Sequence, residues 1–232
     1  VWPEVVAHRG ASTAFAEHTL AAYERAIADG ADGLECDVRL TRDDHLVCVH
    51  DRTIDRTSDG RGAVSSLTFD QLNTHDFGSW HGESADVLEL DTLLGLAADH
   101  GKQVFVETKH PVRYGDRVEQ RLAAVLRRYR VQAVMMSFSV TAVRRFKTLR
   151  PDVPTVLLFG HRWPERLPTF ADFAGPGVHL LHRYPERGRG AYCWTADSAP
   201  DVAMCVERGV RFLATNNPAG TRGMLADNLS RP

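Results

Sequence analysis

Four pairs of titratable residues stand out in the sequence: His8-Arg9, Glu35 with Asp37, His50-Asp51, and Glu107 with Lys109. Each pair closes or follows a short apolar run, and two pairs are spaced two apart, the spacing that puts both side chains on one face of a strand. Three carboxylates drawn together repel one another, and at least one would protonate unless a cation joined them. An all-oxygen set suits one divalent ion, Mg²⁺ or Ca²⁺, better than zinc. Glu35, Asp37 and Glu107 are therefore the expected metal ligands, which frees His8 and His50 for proton transfer near neutral pH. Arg9 and Lys109 add fixed positive charge; Arg9 suits a two-pronged grip on a phosphate and Lys109 a point charge. Metal, two imidazoles, a guanidinium and an ammonium describe phosphoryl transfer better than acyl transfer or sugar hydrolysis.

Such a site needs elements that bring distant residues to one end of one sheet. Apolar runs predict strands at Val5–Ala7, Gly33–Leu40, Val104–Thr108, Ala133–Phe138, Thr155–Phe159, Val178–Leu181, Ala191–Thr195 and Arg211–Thr215. Helical spacing is read at Thr19–Ala28, where Leu20, Tyr23, Ala26 and Ile27 share a face, and near 91–100, 117–129, 140–149, 199–208 and 219–228. Alternating strands and helices imply a parallel sheet, and eight strands favour a closed (β/α)₈ TIM barrel, α/β in class, with catalytic groups at the C-terminal strand ends. No G-x-G-x-x-G follows the first strand, so a dinucleotide fold loses its main support. Leu46–Val49 is strand-like and too close to Leu40 for a crossover. The two should form an antiparallel hairpin folded about 43–44, with position 50 near position 37. Between Leu181 and Ala191 there is too little chain for a crossover helix, which suggests that residues are missing from about 183 to 190.

At these same residues the chain resembles the glycerophosphodiester phosphodiesterase family. The resemblance is carried by HRGAS at 8–12, LECDVRLTRDDHLVCVHD at 34–51, RTSDGRG at 56–62, VETKHP at 106–111, SFS at 137–139, CWTAD at 193–197 and GVRFLATNNP at 209–218. It implies one TIM-barrel catalytic domain over 1–232, with a small insertion after the second strand at about 52–89. It also implies one Mg²⁺ or Ca²⁺ on Glu35, Asp37 and Glu107, an acid–base pair of His8 and His50, and hydrolysis to glycerol 3-phosphate and an alcohol. The chain departs from the family pattern at His18, where Asn is usual, and at Asn216, where Asp is usual. Phospholipase D-like cleavage of lysophospholipids or sphingolipids, and a non-catalytic phosphate-binding barrel, are the alternative readings.

Trp194, at the end of the expected seventh strand, is a candidate to stack on the apolar part of a substrate. Phe15, Phe138, Phe159 and Trp80 are candidates for an apolar rim, and His18 for the site's edge or a solvent-facing helix start. In bulk the sequence is that of an ordinary globular enzyme, 43% hydrophobic and 25% charged. A net charge of −2 gives no reason to expect a nucleic-acid partner. No apolar run is long enough to span a membrane. The partner expected is a small-molecule glycerophosphodiester; oligomeric state is not legible. Cys36, Cys48, Cys193 and Cys205 lie in apolar runs and read as core thiols, which favours the cytoplasm. The chain opens at Val1 without a methionine, which leaves secretion open.

Overall fold

The computed structural model describes residues 2–229; Val1 and residues 230–232 of the expected 1–232 unit lie outside that description. The chain begins with β1 (Glu4–His8), α1 (Leu20–Ala28), β2 (Gly33–Leu40) and β3 (Leu46–Cys48). A 3-10 turn (Val64–Ser66) and the single-turn α2 (Phe69–Leu72) follow. Next come α3 (Leu90–Asp99), β4 (Gln103–Thr108), α4 (Arg117–Leu126), β5 (Ala133–Ser137), α5 (Val140–Leu149) and β6 (Thr155–Phe159). The last elements are β7 (Phe173–Pro176), α6 (Val178–Arg183), β8 (Tyr192–Cys193), α7 (Ala199–Glu207), β9 (Phe212–Thr215) and α8 (Pro218–Leu229).

Eight strands run parallel in the order β7-β6-β5-β4-β2-β1-β9-β8, and β3 pairs antiparallel with β2 alone. The ring is completed at a narrow seam: the Trp194 N–H donates to Pro176 O at 3.2 Å, and the Val178 N–H donates to Trp194 O at 2.7 Å. This is the α/β barrel expected from strand–helix alternation.

Period-two alternation divides the strands cleanly. On β2, Leu34, Cys36, Val38 and Leu40 join the core shared with the helices, while Gly33, Glu35 and Asp37 take the other face. Inside the barrel Val6, Phe105, Tyr192 and Phe212 form an apolar floor. The Phe105 ring centroid is 5.0 Å from that of Phe212 and 5.4 Å from that of Tyr192, contacts worth about 0.5–1.5 kcal/mol each beyond burial. Gly33 makes room for this floor, since a Cβ there would lie 2.7 Å from the Phe105 ring. The carboxylates therefore stand on a dry base.

The sixth expected strand, Val178–Leu181, is a correction: these residues form α6, and the strand is Phe173–Pro176. A four-residue apolar run does not distinguish a strand from a buried helical turn, and Phe-Ala-Gly-Pro lacks the branched residues that mark strands. The crossover sought between Leu181 and Ala191 is thus α6 itself, placed earlier, and 184–191 is a loop. The hairpin forms with Val38 opposite Cys48, and the Val49 N–H donates to Asp37 O at 3.1 Å. Position 37 therefore faces 49, one residue from the expected partner, and His50 follows immediately. In the segment 52–89, Ile54, Val64, Leu72, Phe77 and Val87 gather on Val47 and Val49 as a small satellite core. Among the described residues no helix is long and apolar enough to cross a membrane.

Candidate active site

The first strand delivers His8 and Arg9 through an unusual turn. Arg9 has φ +60° and Gly10 φ +85°. A Cβ on Gly10 would meet Ala22 at 2.7 Å, so glycine is required where this turn meets α1. The strained Arg9 conformation aims its N–H at Glu35 Oε2, 2.9 Å away.

Glu35, Asp37 and Glu107 are all buried, and each offers one oxygen within 4.8 Å of those of the others. Two cations face them. Lys109 Nζ lies 2.8 Å from Glu107 Oε1 and 3.2 Å from Asp37 Oδ1, and Arg9 Nε lies 3.2 Å from Asp37 Oδ2. Both Asp37 carboxylate oxygens nonetheless lack a hydrogen bond of sound geometry. Burial opposes ionisation of Asp37, but the charges around it, Lys109 before Arg9, outweigh it and hold its carboxyl well below the usual range. Burial and then the Asp37 charge push Glu107 up to about 8. The same two causes raise Glu35, against the opposing pull of Arg9. Without a further cation, the cluster retains protons at neutral pH.

The imidazoles flank this cluster, each with Nδ1 committed. His8 Nδ1 lies 2.7 Å from Asn216 Oδ1, while Asn216 Nδ2 donates to Asp197 Oδ2 at 2.7 Å. The amide's orientation toward Asp197 places its oxygen on His8, so the His8 proton sits on Nδ1. His50 Nδ1 lies 2.7 Å from Asp51 Oδ1. Arg56 holds Asp51 in turn, with Nε 2.8 Å from Asp51 Oδ2, and reaches Glu17 at 2.8 and 3.0 Å. Burial and the Arg9 charge lower His8 to about 4 despite Asn216. His50 is also lowered, by burial and then by Lys109 and Arg9, with Asp37 and Asp51 opposing.

The site opens into a cavity of about 260 Å³, whose wall includes His8, His50, Glu107, Lys109, Phe138 and Trp194. Trp194 is half-buried; its Nε1 donates to Gly175 O at 2.9 Å and its ring meets Phe138 edge-on at 5.4 Å. Every residue singled out as catalytic, metal-binding or substrate-binding thus lies at this one end of the barrel. The two-pronged grip expected of Arg9 needs revision, because Nε faces Asp37 and Nη1 donates to Glu17 at 3.1 Å. One arm, Nη2, is left. His18 is not near solvent either. It is buried, with φ +59°, and its Nε2 accepts the Asp37 N–H at 3.1 Å. Burial lowers it to about 3, so its approach to the Asp37 carboxylate is no ion pair. Phe159 lines a neighbouring groove with Phe138. Phe15 lines a separate cavity, and Trp80 lies in the loop that follows α2, so neither shares the rim.

Asp197, Glu17 and Arg56 carry no expected role from sequence, although Asp197 and Arg56 lie within the motifs at 193–197 and 56–62 and Glu17 precedes His18. Asp197 follows a strand end closely, while Glu17 and Arg56 are charged loop residues further along, signals too weak to separate from an ordinary wet loop.

A sequence profile described as the Glycerophosphoryl diester phosphodiesterase family matches residues 8–220. The chain belongs to that family. A "Probable glycerophosphodiester phosphodiesterase 1" of Mycobacterium tuberculosis is 46% identical, covering 97% of this chain and 93% of its own. That alignment runs over 257 positions against 232 residues here, so the relative carries residues without a counterpart in this chain. A glycerophosphodiester phosphodiesterase of Caldanaerobacter subterraneus subsp. tengcongensis is 31% identical, covering 92% of this chain and 94% of its own. Among solved structures, an Oleispira antarctica phosphodiesterase in complex with the product sn-glycerol-3-phosphate superposes with a TM-score of 0.87. At 22% identity, with 97% of each chain covered, that likeness speaks for the shared fold. The matched span of this glycerophosphodiester phosphodiesterase family member holds H-R-G at 8–10, E-x-D at 35–37 and H-D at 50–51.

Proposed function

We propose that this chain hydrolyses glycerophosphodiesters to glycerol 3-phosphate and an alcohol, as one catalytic unit on which the segment 52–89 forms an appended layer. The observation that carries the reading is the buried trio Glu35, Asp37 and Glu107 beside two imidazoles with committed Nδ1 atoms. The trio fits a hard divalent cation, Mg²⁺ or Ca²⁺: it is all oxygen, and both Asp37 oxygens lack a hydrogen bond. Such an ion would supply Lewis-acid stabilisation of charge on phosphoryl oxygens.

The chain's own groups divide the remaining work. His8 rests against a neutral amide and is the group suited to accept a proton. His50 rests against the Asp51 carboxylate, which favours its charged form, and is suited to donate a proton to the departing alkoxide. Lys109 and the free arm of Arg9 balance charge on the phosphate. Trp194 and Phe138 offer an apolar wall to the carbon skeleton. The four buried free cysteines suit a reducing compartment, and we place the reaction in the cytoplasm.

One observation favours a second reading, lysophospholipid cleavage. Phe138 is 46% exposed at the lip. Next to it runs a groove of about 630 Å³ lined by Val140, Leu157, Phe159 and Trp163, able to shelter an acyl chain. The two readings separate when glycerophosphocholine and a lysophospholipid are each incubated with protein, with and without chelator, and the products identified. Glycerol 3-phosphate from the first, lost with chelator, supports the main reading. Turnover of the lysophospholipid alone moves the assignment to the second, and turnover of neither with metal supplied leaves a binding barrel.

A further inference from the structure

A second cavity opens beside the mouth of the barrel, and the reaction as described makes no use of it. It measures about 270 Å³, and Arg39, Arg52, Arg113, Ser65, Tyr114 and Pro111 contribute to its wall. No carboxylate lines it. Arg39 stands on β2 two residues beyond Asp37, and Pro111 follows Lys109 by two, so the cavity adjoins the active site along both β2 and the loop after β4.

The cavity gathers three guanidiniums, one half-buried and two exposed. Arg39 is half-buried, and its Nε and Nη2 donate to the His50 carbonyl at 3.0 and 2.7 Å. Among the described residues it has no carboxylate partner at ion-pair distance, and neither have Arg52 and Arg113. Nearby arginines behave otherwise: Arg56 is held by Glu17 and Asp51, and Arg117 by Asp44. Arg39, partly out of water with no carboxylate against it, carries a desolvation cost. Arg52 and Arg113 are exposed, and with Arg39 they place three like charges around one cavity. An anion with several oxygens resolves both, and planar guanidiniums match phosphate best.

We propose that this cavity is a subsite for a second phosphate on the substrate, and that the favoured substrates carry two phosphates joined through a glycerol unit. One phosphate is cleaved between His8 and His50; the other is held by Arg39, Arg52 and Arg113. The two cavities flank one residue: Arg39 holds the His50 carbonyl at 2.7 and 3.0 Å, and His50 itself lines the reacting cavity. The inference rests on the phosphodiesterase reading above.

The test compares kcat/KM on glycerophosphoglycerol with that on bis(glycerophospho)glycerol, for the wild type and for the Arg52→Gln/Arg113→Gln variant. Arg39 is left intact because it holds the His50 backbone. The wild type should favour the two-phosphate compound by roughly tenfold or more, the worth of one or two charge-assisted hydrogen bonds. The preference should reside in KM and shrink as salt is raised. The variant should lose that preference and keep its kcat/KM on glycerophosphoglycerol within about twofold, since neither arginine touches the reacting phosphate. Equal kcat/KM for the two compounds in the wild type overturns the proposal. So does a variant that loses equally on both, which would mean general steering by positive charge. Should neither compound be hydrolysed, the phosphodiesterase reading falls, yet calorimetric binding of bis(glycerophospho)glycerol to wild type and variant still decides the subsite.

Discussion

His8 Nδ1 and Asn216 Oδ1 lie 2.7 Å apart, and the Asn216 amide is turned to donate to Asp197. An imidazole held this way has one tautomer and one orientation, with Nε2 left for the substrate. The negative charge that could steady a protonated His8 is set back by one residue. Asp197 is exposed, so water screens much of its field.

Replacing Asn216 by Leu should therefore lower kcat by about tenfold or more, the order of cost found when an active-site imidazole loses its orienting partner, with KM little changed. The exchange Asp197→Asn/Asn216→Asp puts the carboxylate directly on His8. That variant should stay active, and the acid limb of its pH–rate profile should move to higher pH, because an adjacent carboxylate raises the base's pKa. An acid limb that stays in place would show that His8 does not titrate in that limb.

Metal binding should be linked to protons, and the sign follows from the carboxylates. Glu107 is raised to about 8 by burial and by Asp37, and Glu35 is raised as well. A cation needs both ionised, so binding at pH 7 should release protons and tighten as pH rises toward 8. In the metal-free protein a raised carboxyl favours the folded state at low pH, and that contribution is lost as pH climbs through the folded value. Between pH 7 and pH 8 the melting temperature of the chelated protein should fall, and added Mg²⁺ or Ca²⁺ should remove the fall. Titration calorimetry in two buffers of different ionisation enthalpy counts the protons. Glu35→Gln should weaken the metal far more than the fold. Full phosphodiesterase activity after verified metal removal would sink the metal assignment.

Much of this site could be read from the sequence because strands keep a period of two. Glu35 with Asp37, and Glu107 with Lys109, announced a shared face, and the short Leu40-to-Leu46 interval dictated the hairpin that brings His50 back. The sixth β/α unit could not be read in this way. Phe-Ala-Gly-Pro has no alternation, and Val-His-Leu-Leu satisfies strand and helix patterns equally, so strand and helix were exchanged. The partners of the site's side chains were hidden for another reason. Asn216 and Asp197 meet only because β8 and β9 are neighbours, and Arg56 reaches Glu17 across 39 positions of sequence. Of the two places expected for His18, the solvent-facing helix start fails: a helix-start histidine is commonly wet, whereas here the left-handed turn folds it under Asp37, at the edge of the site.

That placement makes His18 a stability determinant. Its Nε2 takes the otherwise buried Asp37 N–H. His18→Leu leaves this donor unpaired and should cost about 1–3 kcal/mol, read from urea unfolding. Asn tolerates φ near +60° better than most residues, so His18→Asn should cost less than His18→Leu. Equal losses in the two variants would mean that cavity formation, not the hydrogen bond or the backbone, sets the cost.

The last prediction concerns His8 and His50 as a working pair. Phosphodiester cleavage takes a proton from the nucleophile and gives one to the departing alkoxide, a poor leaving group without it. Arg9 and Lys109 are both raised: burial opposes this, but the surrounding carboxylates outweigh it, so they hold charge and do not exchange protons near neutral pH. Glu35, Asp37 and Glu107 are assigned to the cation. The two imidazoles are left, each with Nδ1 occupied. His8→Ala and His50→Ala should each lose at least about a hundredfold in turnover while still binding metal by calorimetry. Because both act in one reaction, the double variant should be little worse than the poorer single. The profile of kcat/KM against pH should be bell-shaped. A base must be deprotonated, so His8→Ala should flatten the acid limb; an acid must be protonated, so His50→Ala should flatten the alkaline limb. Flattening in the reverse order would exchange the two roles. Near-normal turnover in either single variant would reassign that histidine to substrate binding or to structure.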